Sequence, residues 1–207
     1  MKIHELIHAN ISNRFRGFLP IVIDVETSGL NPNKHALLEM CIVILNMDQD
    51  GNYYRQETHF EHILPFKDAE LDPAALVINQ IDPYQPLRFA LDEKIALQQL
   101  FTHIFTALNQ QCCKKAILVG HNAWFDLLFI QQAIQRTNII SPLHAFTCLD
   151  TATLSGLMYG QTVLSKAIYA AGLTFDKNQA HSAIYDAEKT ADLFCTIVNS
   201  WRTINQR

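Results

Sequence analysis

The sequence predicts an α/β domain in which α-helices flank a central β-sheet. Apolar, β-branched runs typical of buried strands come early, strand and helix patterns then follow one another, and a long amphipathic pattern ends the chain. The chain has 207 residues, of which 49% are hydrophobic and 17% charged. This length and composition predict one domain over residues 1–207, with a sizeable core and little room for a second domain.

Strand patterns dominate the first part of the chain. LPIVIDVET is typical of a buried strand, and Ser28-Gly29 marks the turn that ends it. The next two runs, ALLEMCIVILNMD and NYYRQETHFEHIL, are separated by Asp50-Gly51, a pair typical of the turn between antiparallel strands. These two runs therefore predict a β-hairpin.

Helix patterns become frequent after this hairpin. Asp72-Pro73 predicts the start of a short helix, PAALVIN, and a longer helix is predicted over about residues 92–108. KKAILVG is typical of another buried strand. Asn122 then stands where an N-cap residue would begin the next helix, WFDLLFIQQAI.

Beyond Ser141-Pro142 the remaining patterns are helical. Two shorter helices are predicted around DTATLSGLM and TVLSKAIYAAG, and Gly172 is placed to stop the second. The last helix is predicted over about residues 182–201 because apolar residues recur there at helical spacing. That apolar stripe comprises Ile184, Ala187, Ala191, Phe194, Cys195 and Val198.

Two carboxylates lie two residues apart at the end of the first predicted strand. Because side chains alternate along a strand, Asp24 and Glu26 point to the same face of the sheet. Neighbouring carboxylates in a buried strand repel each other and lose solvation, which calls for a cation such as a hard divalent metal ion. The alternative for this pair alone is an exposed strand end with ordinary polar residues.

Three further residues are candidates on the predicted helices. Asp126 lies one turn into the helix that follows a buried strand, where an acid can also simply complement the helix dipole. His181 and Asp186 flank the start of the last helix, and Asp186 lies off the apolar stripe, so it can face a cleft. Capping or solvated side chains are the alternative for these two residues.

Three segments carry these residues in order: IDVETSGL, GHNAWFDLLF and HSAIYDAEKTADLF. Together they resemble the three exonuclease motifs of the DEDDh superfamily, which is named after the same five residue types. Within that superfamily the chain is similar to the ribonuclease T family over roughly residues 12–201, including LDTATLSGLMYGQTVLSKA. The resemblance implies a ribonuclease H-like fold, with a mixed central sheet between two layers of helices, and 3′-to-5′ exonuclease activity.

The resemblance implies catalytic roles for all five residues. Asp24, Glu26, Asp126 and Asp186 would bind two Mg²⁺ ions, for which Mn²⁺ can substitute, and His181 would act as the general base. Phosphodiester hydrolysis suits such a set, because two metal ions can supply a hydroxide and stabilise charge on the attacking and leaving oxygens.

The resemblance also implies a set of substrate-binding residues, in which apolar and aromatic side chains contact bases and basic side chains hold phosphates. The corresponding residues are Thr27, Leu30, Ile78, Phe125, Phe146, Arg14, Arg16, Lys114 and Lys115. Core packing is the alternative for the two phenylalanines, and a solvated charged surface is the alternative for the basic residues.

The chain departs from the family at this substrate surface. Leu30 and Ile78 stand where the family typically has Phe, so apolar contact is expected there without stacking. The family's basic stretch before the segment FTCLD reads TNIISPL here and holds no Lys or Arg. We therefore expect weaker electrostatic capture of phosphates.

The implied biological role is the trimming of 3′ ends of tRNA and other stable RNAs, with release of nucleoside monophosphates and a capacity to degrade single-stranded DNA. The family's basic surface and catalytic cleft come from different subunits, so a homodimer is also implied. Two alternatives stay open at this point. One is another DEDDh exonuclease, of the proofreading or oligoribonuclease type, and the other is a non-catalytic nucleic-acid-binding module on the same scaffold.

Charge and cysteine usage limit the other function classes. The formal net charge of −4 does not indicate a polyanion binder, although the acidic and basic residues balance once four carboxylates are assigned to a metal site. The five cysteines are odd in number and lack C-x-x-C spacing, which predicts a reducing compartment. Neither a signal peptide nor a membrane span is evident, so we expect a cytoplasmic protein without a membrane partner.

Overall fold

The computed structural model describes residues 11–180 and 182–204. The helices and strands, in chain order, are α1 (Ile11–Arg14), β1 (Phe18–Thr27), β2 (Leu37–Met47), β3 (Tyr53–His62), α2 (Pro73–Asn79), α3 (Glu93–Gln110), β4 (Lys115–Gly120), α4 (Trp124–Thr137), β5 (Leu143–Asp150), α5 (Thr151–Tyr159), α6 (Leu164–Ala170) and α7 (Ala183–Ile204). A single 3₁₀ turn, Pro86–Arg88, precedes α3. No helix within the described ranges is long and apolar enough to cross a membrane.

One mixed five-stranded sheet, in the order β3-β2-β1-β4-β5, forms the centre of the fold. The first three strands are antiparallel neighbours, whereas β4 runs parallel to both β1 and β5. Helices α3 and α4 contact each other and the sheet, and α5 and α6 pack with α7, which lies across β1, β2 and β3. The predicted α/β fold with a mixed sheet and flanking helices is confirmed.

Three of the local turn and cap signals act as predicted. Gly51 adopts a left-handed φ of 80° in the turn between β2 and β3, which only glycine adopts without strain. The Asp72 side chain accepts a hydrogen bond from Ala74 N (2.8 Å) and caps α2. Gly172, with φ 77°, follows the end of α6.

Burial follows the apolar patterns, with one correction in α7. In β2 every residue from Leu37 to Leu45 is buried, as a strand covered on both faces requires. The predicted stripe of α7 is also buried, except that Ile184 is exposed and Ala183 is buried in its place. The rest of the stripe is as predicted, and Ala183 begins it because Ala183, Ala187 and Ala191 repeat every four residues and fit closely against the sheet.

Two predictions from local pattern are wrong. Strand β5 was not predicted, because most of its residues stay partly exposed at the sheet edge and give no apolar run. Asn122 does not cap α4: its φ is 64°, and Ala123 occupies the N-cap position without a side-chain hydrogen bond. The left-handed backbone at Asn122 is held from outside, because the Asp150 side chain accepts a hydrogen bond from its N–H (2.8 Å).

An ion pair joins α3 to α4 on one side of the sheet. Arg136, in the last turn of α4, donates from Nη2 and Nε to both carboxylate oxygens of Glu93, at 2.7 and 3.1 Å. Glu93 is buried, and the guanidinium also lies over the Phe66 ring and donates to Pro32 O. The pair therefore fixes the two helices and two neighbouring loops together.

Arg136→Met should lower the free energy of unfolding by roughly 2–4 kcal/mol, because Glu93 would be left buried without its partner. Urea denaturation measures this. Lys34→Met is the control, since the exposed pair between Lys34 and Glu70 (3.1 Å) should contribute less than about 1 kcal/mol. Equal losses in the two variants would contradict a structural role for the buried pair.

Candidate metal and catalytic site

The centre of the site is the carboxyl end of β1, where the strand extends beyond its neighbour β4. The last pair between these strands joins Val22 to Val119, and β1 continues to Thr27. Asp24 and Glu26 lie in this extension, on one face of the sheet, and both are partly buried. The strand therefore presents two carboxylates at an edge that no β4 residue covers.

Asp186 joins these two carboxylates from the first turn of α7. Its N–H donates to Ser182 O at 2.9 Å, which places the residue within the helix. Asp24, Glu26 and Asp186 each offer a carboxylate oxygen, and these oxygens lie within 4.8 Å of one another. Residues far apart in sequence thus form one acidic cluster.

Asp126 lies beside this cluster and contacts the strand itself. It stands in the first turn of α4 and is only 5% exposed. Its Oδ1 accepts a hydrogen bond from Val25 N (3.1 Å), the backbone group between Asp24 and Glu26. A side chain thereby satisfies a backbone donor in the part of β1 that extends beyond β4.

The cluster carries an unfavourable accumulation of negative charge. Burial and then the charges of Asp126, Glu26 and Asp186 raise the pKa of Asp24 well above its ordinary value. Burial and then Glu39, its register partner on β2, raise the pKa of Glu26 to about 8. Burial raises the pKa of Asp126 to about 8, against the hydrogen bond from Val25. A cation would relieve all of these effects.

The residues fit a hard divalent cation. Carboxylate oxygens are the ligands that Mg²⁺ and Mn²⁺ prefer, and the converging oxygens of Asp24, Glu26 and Asp186 supply them. The buried negative charge also points to a missing positive partner. The acidic cluster is thus consistent with a metal site.

The turn that positions Asp126 is held by residues that the sequence patterns did not single out. Asp150 Oδ1 accepts hydrogen bonds from Asn122 N (2.8 Å) and Ala123 N (3.4 Å). Gly120 fits against this turn, because a Cβ there would lie 3.2 Å from Asp126 Oδ2. The segment FTCLD, which ends in Asp150, gives no local signal of this contact. The contact joins the end of β5 to the turn between β4 and α4, and these are distant in sequence.

Asn79 is a second residue that the patterns missed. It ends α2 and is buried, and its Nδ2 donates to Thr27 O (3.0 Å). Its side chain also hydrogen-bonds Glu26 and so counteracts part of the rise in the pKa of that carboxyl. Asn79 thereby joins the helix that carries Ile78 to the end of β1.

The predicted base-contacting residues differ in exposure. Leu30, Ile78 and Phe146 are 80%, 59% and 80% exposed, so their apolar surfaces are free to contact a ligand. Phe125 is partly buried and packs on Phe129, with ring centroids 4.9 Å apart. Thr27 is buried, and its hydroxyl donates to Gly29 O (2.7 Å).

The predicted basic residues do not lie beside the acidic cluster. Arg16, Lys114 and Lys115 are exposed around the first residues of β1 and β4, and Lys115 pairs with Phe18. Asp24 lies six residues further along β1, which at the rise of a strand is about 20 Å. Arg14 packs inward: its guanidinium lies over the Tyr53 ring and donates to Val198 O (3.4 Å).

His181 lies outside the described residues. Its sequence neighbours Ala180 and Ser182 border a cleft of about 380 Å³, together with Ile78 and Asn79. The general-base role of His181 therefore stays a prediction.

Comparisons with known proteins agree on one family. The family model RNase_T, described as exonuclease, matches residues 21–194. The chain is 52% identical over 195 residues to ribonuclease T of Marinobacter nauticus, covering 94% of this chain and 88% of that protein. It is 50% identical over 202 residues to ribonuclease T of Shewanella frigidimarina, covering 97% and 91%.

A solved structure shares the fold. E. coli exonuclease I in complex with a dT13 oligonucleotide superimposes with a TM-score of 0.69 at 17% identity. The match covers 91% of this chain and 43% of that one, so the chain spans less than half the length of exonuclease I.

The acidic cluster should make the metal-free chain less stable as the pH rises. Acids whose pKa is higher in the folded than in the unfolded chain add stability below the unfolded value and lose it as the pH rises through about 8. In the presence of EDTA, chemical denaturation between about pH 5 and pH 9 should show this loss. Glu26→Gln should reduce it by roughly 1–2 kcal/mol.

The exposed acid of the pair between Lys34 and Glu70 provides the control. Glu70→Gln should keep the wild-type dependence on pH, and Mg²⁺ should remove most of the loss in the wild-type chain. A wild-type stability that is unchanged or rises over this range would contradict the clustering of buried acids.

Proposed function

Because the chain belongs to the ribonuclease T family of 3′-to-5′ exoribonucleases, which are hydrolases, we propose that it trims the 3′ ends of tRNA and other stable RNAs. The products would be nucleoside monophosphates, and single-stranded DNA would be a further substrate. The observation that carries the proposal is the convergence of Asp24, Glu26 and Asp186, with Asp126 beside them, at the uncovered end of β1.

Asp24, Glu26, Asp126 and Asp186 would hold two Mg²⁺ ions, and Mn²⁺ could replace them. When bound, the ions would lower the pKa of the attacking water and neutralise charge on the phosphate oxygens. This assignment is supported by the all-carboxylate ligand set and by the buried charge that it would balance.

The protein's own residues would orient the reaction. The hydrogen bond from Val25 N holds Asp126 in one position, and the β4–α4 turn behind it is held by Asp150. His181 would take the proton from the attacking water, since an imidazole with an ordinary pKa near 6.5 is suited to this step. That role rests on the family motif HSAIYDAEKTADLF.

The exposed apolar residues would contact the last bases of the strand. Leu30 and Ile78 offer contact without aromatic stacking, whereas Phe146 can stack on a base. Phe125 would contribute its exposed edge, and Thr27 would act through its backbone, since its hydroxyl is bonded to Gly29 O. The proposed contacts would therefore accept any base, and their binding of the 3′ end would be weaker than that of a site with phenylalanine at all of these positions.

We further propose a homodimer, in which Arg16, Lys114 and Lys115 of one subunit hold phosphates of the RNA bound in the other. The family resemblance supports this, and within one subunit these residues lie about 20 Å from Asp24, so they do not contact a phosphate bound at their own acidic cluster. Arg14 would stabilise the same surface through its hydrogen bond to Val198 O.

We also propose a single domain over residues 1–207 and a cytoplasmic location. The cytoplasmic location is supported by the five cysteines, which are all free.

Asp24→Asn and Asp186→Asn should each reduce hydrolysis by a factor of about 1,000 or more, because a metal ligand is lost while the buried packing stays the same. The assay is Mg²⁺-dependent release of mononucleotides from single-stranded RNA labelled at the 3′ end, with circular dichroism to check the fold. Unchanged turnover in either folded variant would reject the site assignment. Binding of RNA without hydrolysis by the wild-type chain would favour the non-catalytic alternative.

Ile78→Phe should strengthen binding of single-stranded RNA 3′ ends, because a base–aromatic stack contributes roughly 1–3 kcal/mol. The measurement is fluorescence anisotropy in the Asp24→Asn background, where the RNA stays intact. Val77→Phe is the matched control, since Val77 is also exposed on α2 but is not at a predicted base-contacting position. Equal gains from the two changes would argue against a base contact at Ile78.

A further inference from the structure

One flank of α7 is tied to β3 by a set of charged hydrogen bonds. Arg55, on β3, lies with Nη1 2.9 Å from Glu188 Oε2 and Nε 2.7 Å from Asp192 Oδ1. Thr58 Oγ1 donates to the other carboxylate oxygen of Glu188 at 2.9 Å. One guanidinium and one hydroxyl of β3 therefore engage two acids that lie one turn apart on the helix.

The opposite flank of α7 carries Asp186. Successive residues of an α-helix are about 100° apart around the axis, so Asp186 and Glu188 lie on either side of Ala187. Ala187 is fully buried and faces the sheet. The helix thus lies on the sheet with Glu188 directed to β3 and Asp186 directed to the acidic end of β1.

This arrangement couples the roll of α7 to the metal site. A helix with its side chains has a radius of about 5–6 Å, so a roll of about 20° would move the Asp186 carboxylate by about 2 Å. Metal sites tolerate displacements of only about 0.5 Å. The packed face of α7 consists of three small side chains, those of Ala183, Ala187 and Ala191. Small side chains interlock less with the sheet than large ones, so they resist such a roll less.

The negative charge around α7 favours the same roll. Asp186 is repelled by Asp24 and Glu26, which tends to push the first turn of the helix away from β1. Lys189 lies 3.5 Å from Asp192, but it belongs to α7 itself and cannot fix the helix to the sheet. Arg55 supplies the cation on a different element.

We propose that Arg55 is a positioning residue, which bridges Glu188 and Asp192 and so fixes the roll of α7 that brings Asp186 into the metal site. Arg55 and Thr58 each engage one carboxylate oxygen of Glu188, so Glu188 does not compete with Asp186 for the metal. This inference rests on the proposed metal-dependent activity.

Arg55→Met should raise the dissociation constant for Mn²⁺ roughly tenfold or more, the range typical of residues that orient metal ligands. Calorimetric titration of the full chain with Mn²⁺, without substrate, measures this directly. The Mg²⁺ concentration for half-maximal hydrolysis should rise in parallel, while the KM for RNA stays near the wild-type value. Arg55→Lys keeps the charge but cannot contact both acids with a planar fork, so its dissociation constant should be intermediate.

Arg136→Met is the matched control, because it breaks a comparable ion pair on α3 and α4 and should bind Mn²⁺ like the wild-type chain. Wild-type affinity in Arg55→Met, or an equal loss in Arg136→Met, would overturn the positioning role. Should Arg55→Met fail to fold, wild-type affinity in Arg55→Lys would overturn it instead. A wild-type chain that binds no Mn²⁺ would refute the proposed metal-dependent function itself, which separates the two failures.

Discussion

The mutual repulsion of the carboxylates at the end of β1 is the constraint on which the rest of this structure depends. Asp24 and Glu26 are fixed by the alternation of one strand, and the fold brings two more acids close to them. Each additional acid is restrained by a different kind of contact. Asp126 is held by a backbone N–H, and Asp186 by the packing of α7 on the sheet.

The acidic and basic side chains are also separated along one strand. The acidic end of β1 lies where the sheet loses the cover of β4, whereas the basic residues lie around its first residues. The weak overall charge of the molecule is therefore compatible with a phosphodiesterase, because the distribution of charge matters more than its sum.

Much of this could be predicted from sequence, because the relevant signals are local. β1 and the hairpin formed by β2 and β3 follow from apolar runs and an Asp-Gly turn, and Asp24 and Glu26 share a face because of strand geometry. The family resemblance, carried by the three motifs in order, implied that Asp126 and Asp186 lie near them. The strands, the turn and the shared face of Asp24 and Glu26 need no knowledge of the tertiary fold.

The remainder depends on contacts between distant residues. Asn122 looked like a helix cap, but Asp150 holds it in a left-handed turn from 28 residues away. Arg14 matched a basic surface by position, yet its guanidinium is drawn inward by Val198 O, 184 residues further along the chain. Neither hydrogen bond joins residues that are close in sequence, so patterns within short segments could not predict it.

Asp150 has a wider consequence for how the molecule opens. Besides holding the β4–α4 turn, it caps α5, because its side chain also accepts hydrogen bonds from Ala152 N (3.2 Å) and Thr153 N (3.1 Å). Burial raises its pKa, but the hydrogen bond from the Thr153 hydroxyl, together with those from the amides of α5 and of the turn, holds the pKa below its ordinary value. Because one carboxylate holds both, we expect the amides of α5 and of the turn beside Asp126 to open to solvent together.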